Sequence, residues 1–290
     1  MNYQKFCSVL NRYIFEGEKE ELLKKVAEKP ERFIGLFRPT KPGAKILQHV
    51  LQSHEIKFGD AFEELVEEIL RELNFSILDK SIVGESGNFL SLDQYFKSKS
   101  KGTYYFIEQK VRDDHDSTKK RGQTSNFEAK LEALYKKHKN NVVGIMYFID
   151  PDLSKNKNYY LPELKKLSKF YGIETHLFYG KELFDYLGKP NLWGQILFWL
   201  KKWKDSLPEI PEIDFDKMPK ESFEEIKDLP IRYWRKLLEN EKLWAEGIIK
   251  AIFRKGDTLK LVLEYLESQN NKPYQESAYL LKRLFKKYYK

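Results

Sequence analysis

The chain has 290 residues, with 52 basic and 44 acidic side chains, a formal charge of +8, 41% hydrophobic and 15% aromatic content, one cysteine and five histidines. That apolar content excludes disorder as the overall state. A lone Cys7 excludes a disulfide framework or a cysteine-rich zinc site, and the histidine spacing offers no His-built metal site.

No apolar run reaches the roughly 18 residues needed to span a bilayer, and residues 1–15 are too polar for a secretory signal. The expectation is a cytoplasmic protein without a membrane partner. Its basic excess permits a polyanionic partner without requiring one.

Residues 1–55 form an N-terminal helical region. Phe6, Val9, Leu10, Tyr13 and Ile14 recur at helical spacing, Leu22, Leu23 and Val26 continue the pattern, and Pro30, Pro39 and Pro42 cut it before a helix over 43–52. Residues 56–205 change character. A helix over 57–74 carries Phe62, Leu65, Val66, Ile69, Leu70 and Leu73 on one face. Extended runs follow at 75–78, 89–96 and 103–112, the last two joined by a polar hairpin connection at 97–102. A glycine-containing turn at 84–88 reads as a plain turn.

A helix is predicted over 125–138, where Ser125 and Glu128 have the spacing of a capping box. The nearly continuous apolar run 142–149 predicts a buried central strand. Then come a helix at 162–170, a strand at 173–178 and helices at 181–187 and 192–204. In the last of these Trp193, Trp199 and Trp203 suit core packing or a dimer face. This order predicts an α/β core with a mixed central sheet flanked by helices. Residues 206–290 form a C-terminal helical region: a proline-stiffened acidic linker around 209–216, helices at 231–255, 258–268 and 274–289, and a basic end at 282–290.

The chemistry concentrates between Ser91 and Glu128. In the strand 103–112, Tyr104, Phe106, Glu108 and Lys110 share one face. Glu108 and Lys110 thus place a carboxylate and an ammonium at the end of an apolar strand, where unpaired ions cost several kcal/mol each. The preceding strand carries one acid, Asp93, which a hairpin brings close to Glu108. A Glu-x-Lys triplet alone is an ordinary strand-end ion pair in a chain rich in both residues. With Asp93 beside it, the set has a chemical use. Two carboxylates hold Mg²⁺ with water in its open positions, and a lysine stabilises an anionic transition state and orients or deprotonates the attacking water.

The run that follows, Arg112, Asp113, Asp114, His115, Asp116, Ser117, Thr118, Lys119, Lys120, Arg121 and Gln123, is dense in side chains that contact phosphates and base edges. Its bland alternative is a solvated loop before a helix.

The arrangement Asp93 … Glu108–Gln109–Lys110 resembles the PD-(D/E)XK nuclease signature, with Leu92 where the signature has proline. The segment from Tyr104 to Gln123 resembles that of type II restriction endonucleases. The resemblance implies a restriction-endonuclease-like core for the α/β region, to which the helical regions at both ends are additions, together with Mg²⁺-dependent hydrolysis of double-stranded DNA and a homodimer that matches a two-fold DNA site. It assigns Asp93 and Glu108 to metal, Lys110 to catalysis and the run from Arg112 to Gln123 to DNA. It also implies a further acid from the helix before the sheet, for which Glu63 is the first candidate among Glu63, Glu64, Glu67 and Glu68. A structure-specific repair or resolvase-type nuclease on the same core, and a non-catalytic DNA-binding protein, are the alternatives.

Overall fold

The computed structural model describes residues 1–85 and 87–289. The turn expected at 84–88 includes Ser86 and the basic end at 282–290 includes Lys290; both residues lie outside those described. The chain divides into two compact units, one of residues 1–10 and 58–207 and one of residues 11–57 and 208–290.

The first is the α/β unit. Its helical entry comes from α1 (Tyr3–Phe15) and the later part of α3 (Pro42–Glu72); α2 (Glu18–Glu28) lies between them in sequence. The strands are β1 (Ser76–Ile77), β2 (Ser81–Val83), β3 (Phe89–Ser91), β4 (Gln94–Lys97), β5 (Tyr104–Lys110), β6 (Val142–Phe148) and β7 (Glu174–Tyr179). Five form one sheet in the order β1-β4-β5-β6-β7, and β2 pairs with β3 separately. β4 is antiparallel to β5, with Gln94 opposite Ile107, while β5, β6 and β7 run parallel. This is the mixed sheet the sequence predicts.

All seven residues of β6 are buried, as expected for the central apolar run. Within it Gly144 has no room for a side chain, since a Cβ would meet Phe106 at 2.9 Å and Phe127 at 3.0 Å. One sheet face packs on α4 (Ser117–His138) and α5 (Lys157–Tyr171) through Phe106, Phe127, Leu131, Leu134, Met146, Tyr160 and Leu164. After β7 come α6 (Lys181–Tyr186) and α7 (Pro190–Lys204), whose Trp193, Trp199 and Trp203 are buried.

Three expectations for this unit need correction. The helices expected at 43–52 and 57–74 are one helix, α3, because Ser53–Ile56 contains no residue that stops a helix. The strand expected at 89–96 is two strands in different sheets, broken at Leu92–Asp93. The helix expected from Ser125 begins at Ser117. Its cap is Asp116, whose carboxylate accepts from the Thr118 N–H at 3.0 Å and the Lys119 N–H at 2.9 Å. Gly122 and the polar run look like a loop but extend the helix.

The second unit is all helical. The N-terminal and C-terminal helical stretches share one core, in which Leu22, Leu23, Val26, Ile46 and Val50 join Trp234, Leu237, Leu259 and Leu281. Its later helices are α8 (Pro219–Ile226), α9 (Ile231–Glu239), α10 (Glu241–Ala245), α11 (Ile248–Ile252), α12 (Asp257–Ser268) and α13 (Lys272–Tyr288). The single helix expected over 231–255 is therefore three, interrupted at Asn240 and at Gly247, whose φ of 79° suits glycine. The expected linker is not free chain. Asp216 is buried and accepts from the N–H groups of Lys255 (2.8 Å), Gly256 (2.6 Å) and Thr258 (2.7 Å), closing the start of α12.

Candidate functional site

The site lies in the α/β unit, where β5 ends and the chain turns into α4. The break between β3 and β4 places Asp93 beside the end of β5. Its Oδ2 accepts from the Gln109 N–H at 2.7 Å and from Lys110 Nζ at 2.9 Å. Lys110 Nζ also lies 3.0 Å from Glu108 Oε1 and donates to its neighbour's carbonyl, Gln109 O, at 2.8 Å. One ammonium thus bridges the two carboxylates that the sequence singled out. Burial by itself lowers the Lys110 pKa, but the charges of Glu108 and Asp93 outweigh it and leave it raised. Lys110 is therefore a cation and a donor in this arrangement.

Glu108 is 3% exposed. Its Oε1 also accepts from Asn126 Nδ2 at 3.3 Å, and its Oε2 pairs with Lys130 Nζ. Both partners come from α4. Lys130 was not among the expected site residues. The available signal was its position: it follows Phe127 by three residues and precedes Leu134 by four, on a stripe that is otherwise apolar.

Of the four candidate acids on α3, Glu63 is the one that feels the charges of Asp93 and Lys110. Its carboxyl is pushed up to about 8, first by burial and then by the charge of Asp93, against the opposing pull of Lys110 and Lys80. Glu67 is held instead by Arg71 at 2.5 Å and Lys80 at 2.7 Å, and Glu68 by Lys5. The Glu63 carbonyl accepts from Gln94 Nε2 at 2.7 Å, which ties α3 to β4. Gln94 Oε1 and both side-chain polar atoms of Gln109 are buried without a partner among the described residues.

The residues after β5 divide by what holds them. Asp113 is fully buried, and its carboxylate is engaged by the Asn156 N–H and Nδ2 and by the Tyr179 hydroxyl, each at 2.8 Å. It anchors the chain to the loop before α5 and has no face to present to DNA, so the expected base contact is withdrawn. Asp116 is spent as the α4 cap, and Gln123 accepts from the Tyr160 hydroxyl. Lys120 lies 4.7 Å from the Tyr159 ring centroid, and His115 Nδ1 lies 3.7 Å from Asp114 Oδ1. Arg112, Asp114, Ser117, Thr118, Lys119 and Arg121 are exposed. The first turns of α4 therefore present cations and hydroxyls to solvent at the positive end of a 22-residue helix.

Among the described residues, no three His, Cys, Asp or Glu side chains stand close enough to hold a metal ion unaided. The donors near Lys110 are oxygens: the carboxylates of Asp93 and Glu108 and the Gln109 carbonyl. That chemistry fits a hard dication such as Mg²⁺, which takes one or two carboxylates and completes its shell with water and phosphate oxygens. The other four histidines have partners elsewhere: His49 meets Phe33 edge-on, His54 pairs with Glu18, His176 pairs with Glu174, and His138 stacks on Tyr104 with centroids 3.6 Å apart. Among the described residues, no helix is long and apolar enough to cross a membrane.

No curated protein matches the chain. The family of type II restriction endonucleases described as HinfI matches it over two overlapping stretches, residues 2–89 and 79–204, which take in Glu63, Asp93, Glu108, Lys110 and Lys130. The chain belongs to the HinfI family of type II restriction endonucleases, which makes it a site-specific deoxyribonuclease acting on double-stranded DNA.

Proposed function

We propose that the chain hydrolyses both strands of duplex DNA at a defined sequence with Mg²⁺, through a PD-(D/E)XK site formed by Asp93, Glu108 and Lys110 with Glu63 as a further acid. The observation that carries this reading is Lys110 Nζ within 2.9 Å of Asp93 and 3.0 Å of Glu108 at the end of β5.

Asp93 and Glu108 would hold the cation, which when bound supplies a polarised phosphate oxygen and a more acidic water. The protein's own part is then positional and electrostatic. Lys110 is a raised-pKa donor that faces the same space as the two acids, so its charge is available to an attacked phosphate as negative charge develops. The Asp93 carboxylate is fixed by the Gln109 backbone N–H and not by a mobile side chain alone. That preserves its direction if Lys110 moves toward substrate. Arg112, Lys119 and Arg121 would contact phosphates, and Ser117, Thr118, Asp114, His115 and Lys120 would contribute to contacts at the same helix start. A homodimer would let two such sites face the two strands of a palindromic sequence.

Incubation with plasmid DNA tests the reading. Expected are discrete fragments in Mg²⁺, none in a chelator, and loss of at least about 100-fold in rate for Asp93→Ala, Glu108→Ala and Lys110→Ala. Sequencing the fragment ends gives the recognition sequence. Unchanged cleavage by all three variants would remove this site assignment.

A further inference from the structure

Lys130 is a lysine where α4 otherwise buries hydrocarbon. It is 4% exposed, and Phe127, Leu131 and Leu134 on the same stripe are completely buried. A leucine or methionine there would continue the packing at no electrostatic cost. A buried ion pair is in general a poor source of stability compared with apolar residues of similar volume. The charge at this position is explained by what it faces, Glu108 Oε2.

The cluster holds two carboxylates, Asp93 and Glu108, and two ammoniums, Lys110 and Lys130. The two lysines are not equivalent. The Lys110 side chain is 34% exposed and divides itself between both acids, whereas the Lys130 side chain is 5% exposed and contacts Glu108. The two Glu108 oxygens differ accordingly. Oε1 is met by Lys110 at 3.0 Å and by Asn126 at 3.3 Å, and Oε2 is taken by Lys130.

We infer that Lys130 is a positioning residue of the nuclease site: it holds Glu108 Oε2 from the helix side, so that Oε1 alone is offered on the side of Asp93 and Lys110. This rests on Glu108 being a metal-binding acid. It goes further in dividing the labour between the lysines. Lys130 is the fixed counter-charge that keeps Glu108 in place, and Lys110 is the exchangeable one, free to leave Glu108 when a cation and a phosphate arrive. Asn126, one helical turn before Lys130, steadies Oε1 from the same helix.

The test compares Lys130→Met, Lys130→Arg and Glu108→Ala in the full chain. The readouts are Mn²⁺ binding followed by the resonance signal of the free ion, the Mg²⁺ concentration giving half-maximal plasmid cleavage, metal-free duplex binding, and thermal midpoint. Lys130→Met is expected to weaken Mn²⁺ binding and to raise the half-maximal Mg²⁺ concentration by about tenfold or more, as for other residues that orient metal ligands, with duplex binding unchanged. Lys130→Arg keeps the charge but displaces Glu108, and a smaller rise in both is expected. If Lys130→Met does not fold, Lys130→Arg alone decides. A lower thermal midpoint with wild-type metal dependence in the folded variants would make Lys130 a structural ion pair and overturn the inference. Cleavage by Glu108→Ala would instead overturn the underlying site.

Discussion

The two units bury carboxylates for opposite ends. In the helical unit Asp216 faces three backbone N–H groups at the start of α12, partners that cannot leave without unfolding the turn. In the α/β unit Glu108 faces Lys110 and Lys130, side chains of which one is partly open to solvent. Asp113 resembles Asp216 in this respect, since its acceptors are filled by Asn156 and Tyr179. Burial alone therefore does not single out Glu108; what sets it apart is that both of its ion-pair partners are side chains, one of them partly open to solvent. The buried polar atoms left without a partner among the described residues, on Gln94, Gln109 and His115, all lie in the α/β unit. Buried polar groups are ordinarily satisfied, so atoms left without a partner call for a specific explanation.

The largest effects should separate these roles. Glu108→Ala is expected to abolish cleavage and also to strand Lys130 in the core, at a cost of about 3–5 kcal/mol in a chemical-denaturation experiment. Asp216→Ala should cost about 3 kcal/mol by leaving backbone donors unsatisfied, while cleavage by the protein that remains folded keeps its Mg²⁺ dependence. A changed Mg²⁺ dependence in Asp216→Ala would erase the distinction between the two acids.

A smaller effect concerns Glu63, pushed up to about 8 from an ordinary 4.5. The folded protein then holds a proton that the unfolded chain releases between those values. Stability is lost as pH rises through that window, and the full cost applies above about 8. Glu63→Gln should flatten this dependence. Relative to the wild type it should gain on the order of 1–2 kcal/mol at pH 9, allowing for its partly open position, and nothing at pH 4. Equal pH profiles of denaturation for the two proteins would show that Glu63 does not carry the proton. Calorimetry in buffers of different ionisation enthalpy should further show about one proton released when Mg²⁺ binds at neutral pH.

How much of this was legible in the sequence follows from the physics of each residue. Glu108 and Lys110 stood out because a charged pair on an apolar strand is costly, and β5 and β6 because continuous apolar runs have few other uses. Asp93 was legible as an acid on the adjoining strand. The break that aims it was not, since the apolar and aromatic residues from Phe89 to Phe96 read as one strand. Lys130 was lost because a lysine on a helix is ordinarily a solvated one, and only the neighbouring Phe127, Leu131 and Leu134 betray its burial. The start of α4 is hidden in the sequence because Gly122 and a polar run imitate a loop. The cap at Asp116 was nevertheless present in the sequence, an acid followed by Ser117, Thr118 and a cationic turn.

The two helix starts extend the contrast between the units and carry the smallest predicted effect. α12 is closed by a buried acid about forty residues earlier in the chain, so its N–H groups are spent on the fold. α4 is capped locally by the exposed Asp116, and Lys119 and Arg121 project from its first turns into solvent. If those two cations meet phosphates, each alanine substitution should reduce the slope of log affinity against log salt by about 1 and weaken binding alike on cognate and unrelated duplexes. Thermal stability should not move, because neither side chain is buried. Lys260→Ala, an exposed lysine in the first turn of α12, should leave the salt slope at its wild-type value. A salt slope reduced equally by Lys260→Ala would mean that general surface charge, and not the open start of α4, gathers the DNA.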